Sequence, residues 1–168
     1  MKSLRTENNS TEGEPLAPRF RILPEIAGRV RLEVSFEIPS DLSYVSPAGG
    51  YFSQLAREHG YPESIWAENL PLAMDEAVTN AIRHGHNMDA SKIIRISGIL
   101  SQDKLEIRVE DEGEGFDPDS LPDPREGDSL YRSNGRGVFL IRTLSDELLY
   151  EKGGRHLTMV FNKELEKS

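Results

Sequence analysis

Between Val30 and Ile38 the chain alternates without a break: Val30, Leu32, Val34, Phe36 and Ile38 against Arg31, Glu33, Ser35 and Glu37. That period of two predicts a strand with one buried and one wet face. Pro39-Ser40-Asp41 reads as a helix start and Gly60 as its end, with Pro47 and the Gly49-Gly50 pair expected to break or kink the helix between them. A second helix is expected over about 63–86, with Pro71 inside it and one apolar stripe made by Ala73, Met74, Ala77, Val78, Ala81 and Ile82. Two strands follow, Lys92–Leu100 and Lys104–Asp111, joined by a short turn at Ser101-Gln102-Asp103. Residues 116–134 are rich in Pro, Asp and Gly and too long for an ordinary connection, which marks them as a lid. A third helix is expected from about Gly135 to Asp146. A strand near 147–152, a Gly153-Gly154 turn and a strand over 155–162 close the pattern.

Hairpins plus helices, rather than regular strand–helix alternation, predict an α+β fold. The expected architecture is a two-layer α/β sandwich, a mainly antiparallel mixed sheet covered on one face by about three helices. Residues 1–19 are polar and proline-bounded and are expected to form a flexible tail, leaving 20–168 as one domain.

Composition narrows the function. The 168 residues carry a net charge of −9, which disfavours a phosphate-backbone binder that needs clustered Lys and Arg. With 0 cysteines there is neither a disulfide framework nor a thiolate metal site. The N-terminus lacks the apolar stretch of a signal peptide and no apolar run reaches the length of a membrane helix, so a cytoplasmic location is expected.

Three segments carry candidate chemistry. Glu76 and Asn80 lie one helical turn apart, about 40° around the axis, on the margin of the apolar stripe. Asp111 shares the parity of Leu105, Ile107 and Val109, so it faces the core where a carboxylate needs a partner, and Gly113 and Gly115 follow it. Gly135-Arg136-Gly137-Val138 leads into an apolar helix, and a glycine-rich helix start offers free N–H groups to phosphate. Alone, each also fits a plain role: a solvated boundary pair, a strand-ending turn, a hinge with an N-cap. The acidic run at 110–114 does not place its oxygens as a calcium loop does. His84 and His86, two apart, point away from each other and read as a helix terminus rather than a zinc site.

Together, the segments EAVTNAIRHG from Glu76, DEGEGFDP from Asp111 and GRGVFLIRTLSDEL from Gly135 resemble, in this order and spacing, the three boxes of the GHKL (Bergerat-fold) ATPase superfamily. Within it the chain is most similar to the anti-sigma factor serine kinases of bacterial partner-switching systems. The resemblance covers about residues 30–162. It implies that ATP and Mg²⁺ are the cofactors. Asp111 would accept from the adenine amino group, and Gly113 and Gly115 would pass the base and ribose. Asn80 would hold Mg²⁺. Arg132, Gly135, Arg136, Gly137 and Val138 would receive the phosphates, and Glu76 would be the general base toward a partner's serine. The implied partners are a sigma factor and a STAS-domain antagonist, with the kinase itself a homodimer. Two other readings stay open: an ATP-dependent binding switch without phosphate transfer, and a detached histidine kinase catalytic domain.

Overall fold

The computed structural model describes residues 19–26, 29–115 and 133–163. Six strands form one sheet: β1 (Arg19–Ile26), β2 (Arg29–Pro39), β3 (Ile93–Leu100), β4 (Lys104–Glu110), β5 (Glu147–Glu151) and β6 (His156–Asn162). Their order is β1-β2-β3-β4-β6-β5, and every pairing among them is antiparallel. The helices are α1 (Val45–Glu58), α2 (Leu70–Asn80) and α3 (Ser133–Leu144). Helix α1 packs on α2 and α2 on α3. The result is the expected two-layer α+β sandwich.

Alternation decides which face is covered. Val34, Phe36 and Ile38 of β2 are buried, as are Ile94 and Ile96 of β3, Leu105, Ile107 and Val109 of β4, and Leu157, Met159 and Phe161 of β6. They form one core with Ala48, Phe52 and Ala56 of α1 and Ala73, Met74, Ala77 and Val78 of α2. Phe52 fits because β3 has Gly98 beneath it: a Cβ there would lie 2.3 Å from Phe52 Cε1. The opposite face is charged. Arg95 bridges Glu37 on its cross-strand neighbour at 3.1 Å and Glu112 at 3.2 Å, and Arg108 meets Glu151 at 3.1 Å. Such exposed pairs contribute little energy each, but they favour this register over a slipped one.

Three expectations need correction. Helix α1 is not broken. Its body runs unbroken from Val45 to Glu58, and Pro47 is its third residue, where the missing N–H is one of four without an intrahelical partner. Gly49 serves packing, since its Cβ position is 3.4 Å from both Met74 Cβ and Asp75 Oδ1 of α2. A strand also precedes the alternation that starts at Val30. Strand β1 includes Arg19, at the end of the expected tail, while residues 1–18 lie outside the described ones. Third, α3 runs from Ser133 to Leu144, starting two residues before the expected Gly135 and ending short of Asp146, so both glycines lie inside it. Residues 116–132 of the expected lid, Arg132 among them, fall outside the described residues.

Candidate functional site

Helix α2 carries Pro71 as its second residue, just after the wider, π-helical turn Ser64–Asn69 that leads into it, and a second such turn, Ala81–Gly85, extends its other end. The second of these closes with His86 N–H donating to Ala81 O at 2.8 Å. Turns of this kind are rare and frequent at functional sites. This one turns Ala81, His84 and Gly85 toward a cavity between α2 and the sheet.

The cavity holds about 180 Å³. Its apolar wall includes Ala77, Ala81, Val109, Val138 and Leu157, and Asp111 is the one acid among the described residues lining it. The strand parity that points Asp111 inward is therefore realised at the site. The Asp111 N–H donates to Arg155 O at 3.0 Å, extending the β4–β6 ladder by one residue. Its Oδ1 accepts from the Gly113 N–H at 2.7 Å. Burial raises the Asp111 carboxyl above its ordinary range, while the Gly113 amide and the neighbouring His86, Arg155 and His156 side chains act to lower it. An apolar slot with a half-buried carboxylate at its side suits a flat, neutral ring that offers an N–H donor.

Three glycines around Asp111 permit contacts that a methyl group would prevent. A Cβ on Gly85 would lie 2.6 Å from Asp111 Oδ1, one on Gly113 would lie 2.1 Å from Gly85 O, and one on Gly115 would lie 2.0 Å from Gly153 O. Gly115 also has φ of +82°, which a side chain rarely adopts.

Glu76 and Asn80 meet the third segment. A Cβ on Gly137 would be 2.8 Å from Glu76 Oε2 and 2.9 Å from Asn80 Nδ2. Asn80 lines the cavity as well, so the amide belongs to both halves of the site. Gly137 is the fifth residue of α3, beyond the four whose N–H groups lack an intrahelical partner. Its visible function is close approach. Val138 lines the cavity, whereas Arg136 is exposed. Gly135 falls within the first turn of α3.

Several lining residues lie outside the three segments. Tyr150, Gly154, Arg155 and Leu157 come from the β5–β6 hairpin, which folds beside Asp111 because β6 pairs with β4. Burial pushes the Tyr150 phenol up to about 12, so it stays neutral. His86 is buried rather than part of a plain helix terminus, and its Nε2 accepts from the Glu112 N–H at 2.9 Å. Its signal in the sequence is only its proximity to Gly85. No helix among the described residues is long and apolar enough to cross a membrane, and no cluster of three metal-binding side chains occurs among them.

A family profile described as the histidine kinase-like ATPase domain matches residues 38–161. The serine-protein kinase RsbW of Listeria monocytogenes is 32% identical over 130 residues, covering 72% of this chain and 82% of the relative. The protein of the same name from Oceanobacillus iheyensis is 34% identical, covering 68% of this chain and 76% of the relative. That from Staphylococcus aureus is 30% identical, covering 75% and 84%. The profile spans all three segments and most of the sheet, and the relatives extend over most of both chains. The chain belongs to the histidine kinase-like ATPase domain family.

Proposed function

We propose that this chain is an ATP-dependent serine-protein kinase that phosphorylates a STAS-type antagonist and, in the alternative state of the switch, holds a sigma factor. The observation that carries the proposal is the meeting of Glu76 and Asn80 with Gly137 beside the cavity that Asp111 and Asn80 line.

The residues present fit the nucleotide and its metal. The apolar slot and the Asp111 carboxylate suit adenine, with Gly113 and Gly115 letting the backbone of the turn lie close against that of Gly85 and Gly153. The Asn80 amide oxygen is a hard donor, appropriate to Mg²⁺ held by few protein ligands and by phosphate. When bound, ATP supplies the transferable phosphoryl group and Mg²⁺ neutralises its charge. Asp111 selects the base by accepting from its amino group. Asn80 would hold the metal, and Gly135, Arg136, Gly137 and Val138, with Arg132 ahead of them, would form the phosphate side. Glu76 would take the proton from the partner's serine hydroxyl as that oxygen bonds the γ-phosphorus and the bond from that phosphorus to the β–γ bridging oxygen breaks, leaving ADP. The 116–134 segment would act as the lid within a domain that runs from about residue 20 to 168. The working form is a cytoplasmic homodimer.

A transfer assay tests this reading. The chain is incubated with γ-labelled ATP and the STAS-domain protein encoded beside it. Label is expected on a serine of that protein. Glu76→Gln should lower the rate by roughly 10²–10⁴-fold while leaving nucleotide binding intact. Binding without transfer by the unaltered chain would replace the kinase with a nucleotide-dependent binding switch.

A further inference from the structure

We infer that His86 is the positioning residue of the Asp111–Gly113 turn: its neutral imidazole grips the Glu112 amide and so sets the Asp111 carboxylate in the cavity. This rests on the reading of Asp111 as the base-binding group.

Two consecutive amides of the turn are tied down. Glu112 N–H donates to His86 Nε2 at 2.9 Å, and Gly113 N–H donates to Asp111 Oδ1 at 2.7 Å. An Nε2 that accepts carries no proton, so the neutral ring bears its proton on Nδ1. That Nδ1 is buried and has no hydrogen-bond partner among the described residues. The whole side chain is 1% exposed. Leaving a buried donor unmade is costly, and a helix end with no further task would turn such a ring to solvent.

On both sides of the ring the backbone leaves regular helical geometry, and Met88 N–H closes the helix end on Ile82 O at 2.9 Å. Ahead of it lies the widened turn Ala81–Gly85. Behind it, Asn87 and Met88 have φ of 52° and 61°, two side-chain-bearing residues in succession in the left-handed region. Strain of this kind persists where surrounding structure enforces it, and it gathers at functional positions. The orphaned Nδ1, the widened turn and the left-handed pair serve one end: an imidazole acceptor under the Asp111 turn.

A titratable acceptor makes the grip depend on pH. Asp111, Glu112 and Asp89 face the ring and favour its charged form, and Lys92 opposes it. Burial is the largest influence, and the ring titrates below the ordinary histidine range. At neutral pH the acceptor is intact. As pH falls, Nε2 gains a proton and becomes a donor facing the Glu112 donor, so the turn is released. Nucleotide affinity should decline with it.

The experiment is titration of the full chain with a fluorescent ATP analogue from about pH 7.5 down to about pH 4.5, reaching below the usual histidine span because burial lowers this ring's pKa. The unaltered chain should lose affinity roughly tenfold on acidification, the size of one hydrogen bond to a site group. His86→Gln offers a carbonyl acceptor that does not titrate, and it should bind normally at neutral pH with the acid loss flattened. His86→Leu should bind roughly tenfold more weakly throughout. An acid loss as steep in His86→Gln as in the unaltered chain would assign the effect to Asp111 and overturn the inference. Nitrogen NMR of the unaltered chain gives an answer independent of any variant: Nε2 should be unprotonated, and a protonated Nε2 would overturn it. Normal binding that is flat with pH would remove this inference alone. No binding at neutral pH would remove the nucleotide reading along with it.

Discussion

Replacing Gly137 by Ala should separate stability from activity. The added methyl would stand 2.8 Å from Glu76 Oε2, 2.9 Å from Asn80 Nδ2 and 3.2 Å from Asn80 Oδ1. Ordinary contact begins near ~3.5 Å, so two of these atoms must retreat by about 0.6–0.7 Å. They are side-chain ends, so rotation can relieve the clash at about 0.5–1.5 kcal/mol for a side chain pushed off its rotamer. Against this, alanine gains about 1 kcal/mol over glycine inside a helix. The terms nearly cancel, and Tm should move by no more than about 4 °C in either direction. Phosphate transfer responds differently. Glu76 and Asn80 are the two groups displaced, and misplacement of reacting groups by ~1 Å costs on the order of 10²-fold in rate. Scanning calorimetry and labelled-phosphate transfer to the STAS-type antagonist, run on the same preparation, check both halves. Transfer within about twofold of the unaltered chain would refute the reasoning. So would a fall in Tm beyond about 8 °C, which would mean that α3 itself, not the side chains beneath it, gives way.

Two further substitutions probe the acid and the core. Burial raises the folded-state pKa of Asp111 above its unfolded value, so its ionised form weakens the fold at neutral pH and stability is regained as pH falls through the raised value. Asp111→Asn keeps an acceptor for the Gly113 amide and should raise the Tm of the nucleotide-free chain at neutral pH while weakening ATP binding; an unchanged Tm in calorimetry would contradict the burial argument. Gly98→Ala would press a methyl to 2.3 Å from Cε1 of Phe52, a ring with 0% exposure and no room to yield. Urea unfolding should show a loss of about 1–3 kcal/mol with nucleotide affinity retained.

Strands β2, β3, β4 and β6 were legible in the sequence because each buries one face, which imposes a period of two on its residues. Strand β1 was not. Its sequence RFRILPEI loses alternation at Leu23-Pro24, and the register with β2 shifts between Leu23 and Ile26. An edge strand with one neighbour tolerates both, but only pairing with β2 reveals it as a strand. The forecast of a broken α1 failed because glycine was weighed by propensity, whereas Gly49 answers to the closeness of α2. The same division runs through the site. Glu76, Asn80 and Asp111 could be found from helical spacing and strand parity, which are local. Tyr150 and Arg155 could not, since they reach the cavity only through the pairing of β6 with β4. His86 was missed because a backbone amide from residue 112, on another element, determines its meaning.

The glycine contacts at the Asp111 end have a consequence for how this site can drift. Gly113 meets the carbonyl of Gly85, and Gly115 meets the carbonyl of Gly153, so part of the rim is a seam of main chain against main chain. Its contour is set by peptide geometry rather than by the side chains behind it. Substitutions in the surrounding layers can then accumulate while that part of the rim keeps its outline, but Gly113 and Gly115 cannot change, because the carbonyl a Cβ would strike is main chain whatever residue stands at 85 or 153. A chimera that exchanges the 76–85 segment alone with a distant relative is therefore less prone to fail through its new apolar residues than through half an ångström of backbone at Gly85.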